Sequence, residues 1–100
     1  MNMTITKEYN GDALTVALQG RLDTNTSPEL EKELRESMDD VRSLTLDFAD
    51  LDYISSAGLR VLLFAHKTMS AKDGMTVKHV NEVVMDVFEL TGFADILTIE

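Results

Sequence analysis

Two adjacent serines, Ser55 and Ser56, lie between a strand-like segment and an apolar helical segment. Apolar and polar residues alternate over 44–48, as in a half-buried strand, and residues 59–65 are apolar apart from one arginine. A hydroxyl at the start of a helix can accept a hydrogen bond from a free backbone N–H group and cap the helix. The same N–H groups and the positive end of the helix dipole also suit a phosphate group. The residue types alone favour the cap.

The residues after the serines depart from an ordinary capping sequence. Neither Ser55 nor Ser56 has a Glu or Gln three residues later, so the reciprocal capping box is missing. Gly58 is also unusual, because glycine early in a helix costs about 1 kcal/mol relative to alanine. A glycine leaves the helix surface bare, and we expect that bare surface to suit close approach by another backbone.

Three carboxylates precede the serines, namely Asp47, Asp50 and Asp52. Their simplest role is loop solubility and turn formation. Their alternative role is electrostatic, because phosphorylation of a neighbouring serine adds about −1.5 to −2 charge. A partner surface fitted to a neutral hydroxyl would then meet a dianion beside existing carboxylates, which costs several kcal/mol at an interface. In that case a single serine switches binding without a large conformational change.

The remaining residues give little support for enzymatic chemistry. The sequence has no cysteine, its five glycines never cluster, and Ser56 does not belong to a G-x-S-x-G motif. We interpret His66 and His79 as residues at the edge of the core, and neither has a carboxylate at metal-ligand spacing. A catalytic serine would need one of them within hydrogen-bond reach. We therefore predict a protein that is not an enzyme and has no metal or cofactor.

The composition is that of one acidic globular domain. The chain has 100 residues, 44% of them apolar, and a formal net charge of −9, which suits a single core. Nucleic acids and anionic membranes attract Lys- and Arg-rich surfaces, so this charge argues against both and suits a basic protein partner. No apolar segment is long enough to cross a bilayer, and residues 1–4 do not resemble a signal peptide. We expect no membrane insertion and a cytoplasmic location.

Periodicity and turn residues predict the order of the secondary structure. Asn10-Gly11 stands between two strand-like segments, which indicates an antiparallel hairpin. A polar connection is predicted over 21–27, and the first helix begins near Ser27-Pro28, with Thr26 and Glu29 as a competing capping box. The later predicted elements are a strand over 41–48, a helix over 56–70, a strand over 75–80, a helix over 82–91 and a strand over 96–99. Asn81 is predicted to cap the helix over 82–91, and Gly92 to end it in a left-handed conformation.

The order β-β-α-β-α-β-α-β predicts an α/β fold in a single domain. Strands that alternate with helices become parallel neighbours joined by right-handed crossovers, so we expect a mixed, mostly parallel sheet opened by an N-terminal β-hairpin. Most strands alternate polar and apolar residues, which predicts helices chiefly on one face. The side chains predicted to face the core from the helices and the fourth strand are Leu30, Leu34, Met38, Leu59, Leu62, Leu63, His66, Met75, Val77, His79, Val84, Val87 and Phe88. Val61, Phe64 and Ala65 are predicted to widen the buried stripe of the second helix.

Three short segments resemble those of a known family. Residues 55–59, Ser-Ser-Ala-Gly-Leu after an acidic strand end, resemble the phosphorylation loop of the STAS-domain anti-sigma factor antagonists. Residues 20–23 with Thr26 resemble that family's segment before the first helix, and residues 91–93 resemble its C-terminal helix end. The resemblance covers nearly the whole chain and predicts one STAS domain over residues 1–100.

The resemblance implies a function by partner switching. The unphosphorylated protein would bind a serine-kinase anti-sigma factor and free the sigma factor, the kinase would phosphorylate Ser56 and abolish binding, and a PP2C-type serine phosphatase would reverse this. The family often has Asp before the phosphorylated serine, whereas Ser55 stands here and is a second candidate. The alternative is a STAS subunit of another assembly, such as a stress-signalling complex or lipid or anion transport machinery. The candidate partner-binding residues are Asp23, Thr24, Thr26, Ser55, Ser56, Ala57, Gly58 and Arg60.

Overall fold

The computed structural model describes residues 3–100, so Met1 and Asn2, which begin the N-terminal stretch considered above, lie outside it. Two short 3₁₀ helices, Met38–Asp40 and Phe93–Asp95, are added to the predicted order, which is otherwise confirmed. The strands and α-helices are β1 (Met3–Asn10), β2 (Ala13–Leu22), α1 (Ser27–Ser37), β3 (Ser43–Ile54), α2 (Ser56–Ser70), β4 (Met75–Lys78), α3 (Glu82–Thr91) and β5 (Thr98–Ile99).

The five strands form one sheet in the order β1-β2-β3-β4-β5. The first pair is antiparallel and closes through the predicted turn, in which Gly11 has a φ of 63°, and the other pairs are parallel. Right-handed crossovers that always step to the next strand place all three helices on the same face. The inner face of β2 is fully buried, whereas its alternate residues remain partly or wholly exposed. The predicted mixed sheet with helices on one face is confirmed.

The strands β2 and β3 continue beyond their predicted ends, to Leu22 and Ile54. The sequence pattern did not indicate the end of β3, because this strand contains two β-bulges. Gln19 pairs with Asp50 and Arg21 pairs with Tyr53, so β3 carries an extra residue before each of these pairs. Each bulge interrupts the two-residue alternation of buried side chains. The alternation therefore breaks after Phe48, and residues 49–54, predicted as a loop, continue the strand. The polar connection shortens to residues 23–26.

The first helix packs as predicted but begins differently. Leu30, Leu34 and Met38 are buried, and Pro28 occupies the first turn. Thr26 is the N-cap residue, yet its side chain makes no capping hydrogen bond, so the predicted capping box with Glu29 is wrong. The hydroxyl of Thr26 instead bonds the loop that precedes the helix, as described below.

The second helix spans the predicted residues with a different buried stripe. Gly58, Leu62, Ala65 and Met69 recur at helical spacing and are buried. The predicted burial of Leu59 and Leu62 is confirmed. Leu63, Phe64 and His66 are only partly buried, so their predicted place in the buried stripe is wrong. None of the helices within residues 3–100 is long and apolar enough to span a membrane.

The C-terminal third contains the shortest strands. Met75 and Val77 face the core, but β4 ends before His79, which is exposed at a φ of 60°. The predicted inward position of His79 is therefore wrong. Asn81 caps α3 and Gly92 ends it at a φ of 83°, as predicted, with Val84 and Phe88 buried and Val87 partly exposed. The last strand is shorter than predicted, because the N–H groups of Ile96 and Leu97 bond the Phe93 carbonyl in the turn that ends the second 3₁₀ helix.

Candidate functional site at the ends of β2 and β3

The candidate site is formed where two neighbouring parallel strands end. Leu22 at the end of β2 pairs with Ile54 at the end of β3, and the backbone N–H of Ser55 donates to the Leu22 carbonyl over 2.9 Å. Parallel strands present their carboxyl ends at the same edge of a sheet. The loop over 23–26 therefore lies beside the start of α2, although about thirty residues separate the two in sequence.

The loop between β2 and α1 is held by its own side chains. The Oδ1 atom of Asp23 accepts from the backbone N–H groups of Asn25 at 3.0 Å and Thr26 at 3.1 Å. The Thr26 hydroxyl donates to the Arg21 carbonyl at 2.7 Å and accepts from the Asp23 N–H at 2.9 Å. The Ser27 hydroxyl donates to the Asp23 carbonyl at 2.6 Å. This network fixes the loop, so its outer residues are presented in one conformation.

The ionisation of Asp23 follows from the same network. Desolvation opposes the charged form, but the N–H groups of Thr26 and Asn25 outweigh it and lower the pKa of Asp23 below its usual value. The guanidinium of Arg21, 3.7 Å from the Asp23 carboxylate, acts in the same direction. A fixed carboxylate therefore lies beside the start of α2 at neutral pH.

The predicted docking residues of this loop differ in exposure. Thr24 is exposed and Asp23 is partly exposed. Thr26 is 5% exposed and its hydroxyl is already engaged on both sides, so a partner cannot reach it. The prediction of Thr26 as a direct contact is corrected: it shapes the loop from within.

The two serines have different environments. Ser55 is extended, with a φ of −103° and a ψ of 176°, and its Oγ accepts from the Gly58 N–H at 3.5 Å, which is at the long limit for a hydrogen bond. Ser55 is therefore the cap residue, as one interpretation of the sequence had it. Ser56 is the first residue of α2 and is exposed, and its hydroxyl makes no hydrogen bond with residues 3–100. Ser56 is thus the accessible hydroxyl.

Gly58 faces the interior. A β-carbon at this position would lie 2.8 Å from Leu22 Cγ and 2.9 Å from Ile54 Cγ1, closer than real contacts allow. The close approach that the sequence suggested does occur, but Gly58 is approached by the side chains of Leu22 and Ile54 at the ends of β2 and β3 rather than by another backbone. The predicted contact of Gly58 with a partner is wrong, because the residue is buried.

The outer side of this helix start is accessible. Arg60 is exposed, as predicted, and Ala57 is partly exposed. Both line a groove between α1 and α2 that begins at Thr24. The start of α2 and the loop over 23–26 therefore form one continuous surface with Ser56.

The comparison with known proteins agrees with this architecture. The sequence model of the STAS domain matches residues 4–100. The chain belongs to the STAS domain family. It is 35% identical to BtrV of Bordetella bronchiseptica, provisionally named an anti-sigma factor antagonist, over 97% of this chain and 85% of BtrV. It is 30% identical to the anti-sigma F factor antagonist of Paenibacillus polymyxa, over 99% of this chain and 87% of that protein.

Solved STAS structures share the fold. The anti-sigma factor antagonist SpoIIAA in its unphosphorylated form superposes with a TM-score of 0.83 at 17% identity, covering 97% of this chain and 88% of SpoIIAA. The phosphorylated form of SpoIIAA from Bacillus gives a TM-score of 0.75 at 16% identity, with 97% and 91% coverage. At 16–17% identity, these similarities show that the fold is shared.

The acidic residues of this STAS domain do not surround the serines as predicted. Asp47 bonds His79 over 2.9 Å, and this bond, helped by the Ala49 N–H, lowers the pKa of Asp47. Asp47 and Ile54 pair with Ala17 and Leu22, which are five residues apart on β2, so at a rise of ~3.3 Å per residue they lie about 17 Å apart. Asp50 and Asp52 line a polar concavity with the hairpin strands. The carboxylate next to the serine loop is Asp23, which the acidic cluster did not include.

Neither histidine of the STAS domain can serve Ser56 as a base. His66 lies ten residues further along α2, which is about 15 Å at a rise of 1.5 Å per residue. His79 bonds Asp47, which lies about seven residues before the end of β3 next to the serines. Within residues 3–100, no three His, Cys, Asp or Glu side chains gather into a potential metal site. The geometry gives no support for a serine hydrolase.

Two residues that border the STAS surface were absent from the prediction. The Arg21 guanidinium lies 4.2 Å from the centre of the Tyr53 ring. The two residues are also paired with each other in the register of β2 with β3. The Arg21 guanidinium, which packs on the Tyr53 ring, also lies 3.7 Å from the Asp23 carboxylate. No sequence signal indicated this pair, because Tyr53 was assigned to a loop and the register of β2 with β3 was unknown.

Proposed function

We propose that this STAS domain is an anti-sigma factor antagonist that acts by partner switching. In its unphosphorylated form it binds a serine-kinase anti-sigma factor and frees the sigma factor, and phosphorylation of Ser56 abolishes this binding. It acts by binding rather than by catalysis. The relatives named above support the class of function. The single observation that carries the choice of residue is the exposed, unbonded hydroxyl of Ser56 at the first position of α2.

The helix start can hold the modified serine without unfolding. A phosphoserine adds about −1.5 to −2 charge, and the free N–H groups and positive dipole end of a helix N-terminus favour an anion. Asp23, fixed in the adjacent loop, adds to the negative potential there. A partner that fits the neutral hydroxyl therefore meets a concentrated negative charge, which weakens binding by about a hundredfold or more.

Ser55 is a less suitable acceptor than Ser56. Its Oγ accepts from the Gly58 N–H, and the residue is partly buried between the ends of β2 and β3. A phosphate on Ser55 would displace the cap and crowd Leu22, whereas a phosphate on Ser56 extends into solvent. The proposal therefore keeps Ser56 as the acceptor and gives Ser55 the role of cap.

The proposed partner surface surrounds Ser56. It consists of Asp23, Thr24, Ala57 and Arg60, all at least partly exposed. Thr26 and Gly58 hold this surface in place from inside. The anti-sigma factor supplies ATP and the kinase activity, a PP2C-type serine phosphatase removes the phosphate, and all of these proteins meet in the cytoplasm.

The test uses the whole protein with ATP and each candidate serine-kinase anti-sigma factor of its own genome. We expect one phosphate by intact mass, located on Ser56 by peptide sequencing and lost in Ser56→Ala but kept in Ser55→Ala. Ser56→Asp should weaken the complex about a hundredfold, in keeping with the charge argument above.

Three results would contradict parts of the proposal. Phosphate on Ser55 would overturn the assignment of the acceptor. Equal affinity of Ser56→Asp and wild type would overturn the switch. A failure to bind or to be phosphorylated by any candidate kinase would favour the alternative role, a STAS subunit of an assembly without a sigma factor.

A further inference from the structure

The free positive charges of this acidic chain are concentrated on one surface. Of its nine Lys and Arg residues, Lys7, Arg21, Arg35, Arg42 and Lys78 pair with carboxylates and Lys72 donates to backbone carbonyls. Within residues 3–100, the cations that have neither a carboxylate within 4.0 Å nor a hydrogen bond are Lys32, Arg60 and Lys67, all of them exposed on α1 or α2.

Two of these cations line an apolar depression on α2, and Lys32 lies beside Arg35 in a separate depression on α1. Arg60, Leu63, Phe64 and Lys67 line a mostly apolar concavity on α2, and Phe64 also borders the two neighbouring depressions toward α1. Arg35 places its guanidinium 4.2 Å from the centre of the Phe64 ring. We name the surface formed by Lys32, Arg35, Arg60, Leu63, Phe64 and Lys67 the basic groove. The helix α2 has no Asp or Glu, whereas α1 carries Glu31, which is tied to Arg35, and Glu33, which pairs with Lys7 and is close enough to Lys32 to feel its charge. Asp39 lies at the far end of the groove.

We propose that the basic groove binds an acidic amphipathic helix of a partner protein. Arg60 and Lys67 are seven residues apart on one side of α2, about 10 Å along the axis, with Leu63 and Phe64 between them. A helix with carboxylates at the same spacing and large apolar residues between them matches this pattern in charge and in shape. Arg60 belongs both to the proposed partner surface and to the basic groove. The inference still does not depend on the proposed function, because it uses unpaired charge and Phe64 rather than the hydroxyl of Ser56.

The negative net charge of the chain does not prevent an acidic helix from binding at the basic groove. A protein with a charge of −9 repels acidic peptides at long range, but 0.15 M salt screens charges beyond about 8 Å. An acidic helix that reaches the groove therefore interacts mainly with the four local cations. A basic helix would instead bind the many exposed carboxylates elsewhere on the protein.

The test is an NMR titration of the isotope-labelled protein with an acetylated, amidated peptide of Glu and Leu in a heptad pattern. The control peptide has Lys in place of every Glu. We expect shift changes confined to residues 32–35 and 60–67 with the acidic peptide, and an affinity that falls as salt is added. Shift changes elsewhere, none at all, or the same groove shifts with the Lys peptide would overturn the proposal.

Matched variants make the test quantitative. Lys32→Glu with Lys67→Glu should weaken the acidic peptide about tenfold or more, because two attractive pairs become repulsive. Arg42→Glu with Lys78→Glu changes the net charge equally but lies in other ion pairs, so it should leave the affinity unchanged. Equal losses in the two double variants would overturn the proposal. A Ser56→Asp variant that loses as much affinity as Lys32→Glu with Lys67→Glu would also overturn it, since that would place the peptide at the serine surface.

Discussion

At the scale of single residues, the candidate surface depends on two residues beneath it. Gly58 lets the start of α2 rest directly on Leu22 and Ile54, and Thr26 bonds both sides of the adjacent loop. Neither presents a side chain to a partner. Their substitution should therefore change stability, and should change binding only through the positions of Ser56 and Asp23.

Gly58→Ala should lower the free energy of unfolding by about 1 kcal/mol. The added methyl overpacks against Leu22 and Ile54, which costs about 1–3 kcal/mol, and this exceeds the gain of about 1 kcal/mol from replacing a helical glycine. Urea unfolding measures the change. In a Leu22→Ala background the two close contacts with Leu22 disappear and only the Ile54 contact at 2.9 Å remains, so Gly58→Ala should cost less there than in wild type. An equal loss in both backgrounds would contradict the packing argument.

Thr26→Val should lower the free energy of unfolding by about 1–3 kcal/mol, because it leaves the Arg21 carbonyl and the Asp23 N–H without their buried partner. The matched control is Thr24→Val in the same loop. Thr24 is exposed, so its substitution should stay within about 0.5 kcal/mol. Similar losses for the two variants in urea unfolding would refute the internal role of Thr26.

At the scale of elements, the starts of α2 and α3 are capped with different strength. Asn81 Oδ1 accepts from the Val84 N–H at 2.9 Å, and its Nδ2 donates to the Leu51 carbonyl at 2.7 Å. Ser55 makes a single capping bond of 3.5 Å. The cap of α3 also joins the helix to β3, whereas the cap of α2 leaves the helix N-terminus more available to an anion.

Asn81→Ala should therefore destabilise the protein by about 1–2 kcal/mol, and Ser55→Ala by clearly less. Both changes remove one cap residue, so they are matched, and thermal or urea unfolding compares them directly. A larger loss for Ser55→Ala would show that the long bond at the start of α2 is stronger than its geometry indicates.

At the scale of the whole molecule, the parallel pairing of β2 with β3 creates the site and the packing of α1 with α2 creates the basic groove. Both bring together residues that are distant in sequence. The hydrogen bond between Asp47 and His79 similarly links β3 to the segment after β4. This pair lies far from the serine loop, so it contributes to stability rather than to the proposed switch.

Stability should fall in acid through Asp47. Its pKa is below the ordinary value of 3.8, first because of the His79 bond and then because of the Ala49 N–H. A lowered pKa in the folded state gives stability that is present above the unfolded value and is lost as pH falls through the folded value. Urea midpoints between about pH 5 and 3 should therefore fall less steeply in Asp47→Asn than in wild type. Asp50→Asn, an exposed neighbour, is the control, and an unchanged slope in Asp47→Asn would contradict the assignment.

The sequence by itself determined the order of elements, the hairpin at Asn10-Gly11, the cap at Asn81 and the end of α3 at Gly92. These features depend on periodicity and on the conformational preferences of a few adjacent residues, which are local properties. The serine pair at the start of α2 was located for the same reason.

Only the tertiary structure decided which residues of that region face a partner. The bulges that extend β3, the burial of Thr26 and Gly58 and the pairing of Asp47 with His79 all depend on contacts between distant parts of the chain. The concentration of unpaired cations beside Phe64 arises in the same way. A sequence pattern records which side of an element is apolar, but the register of strands and the packing of helices decide what that side meets.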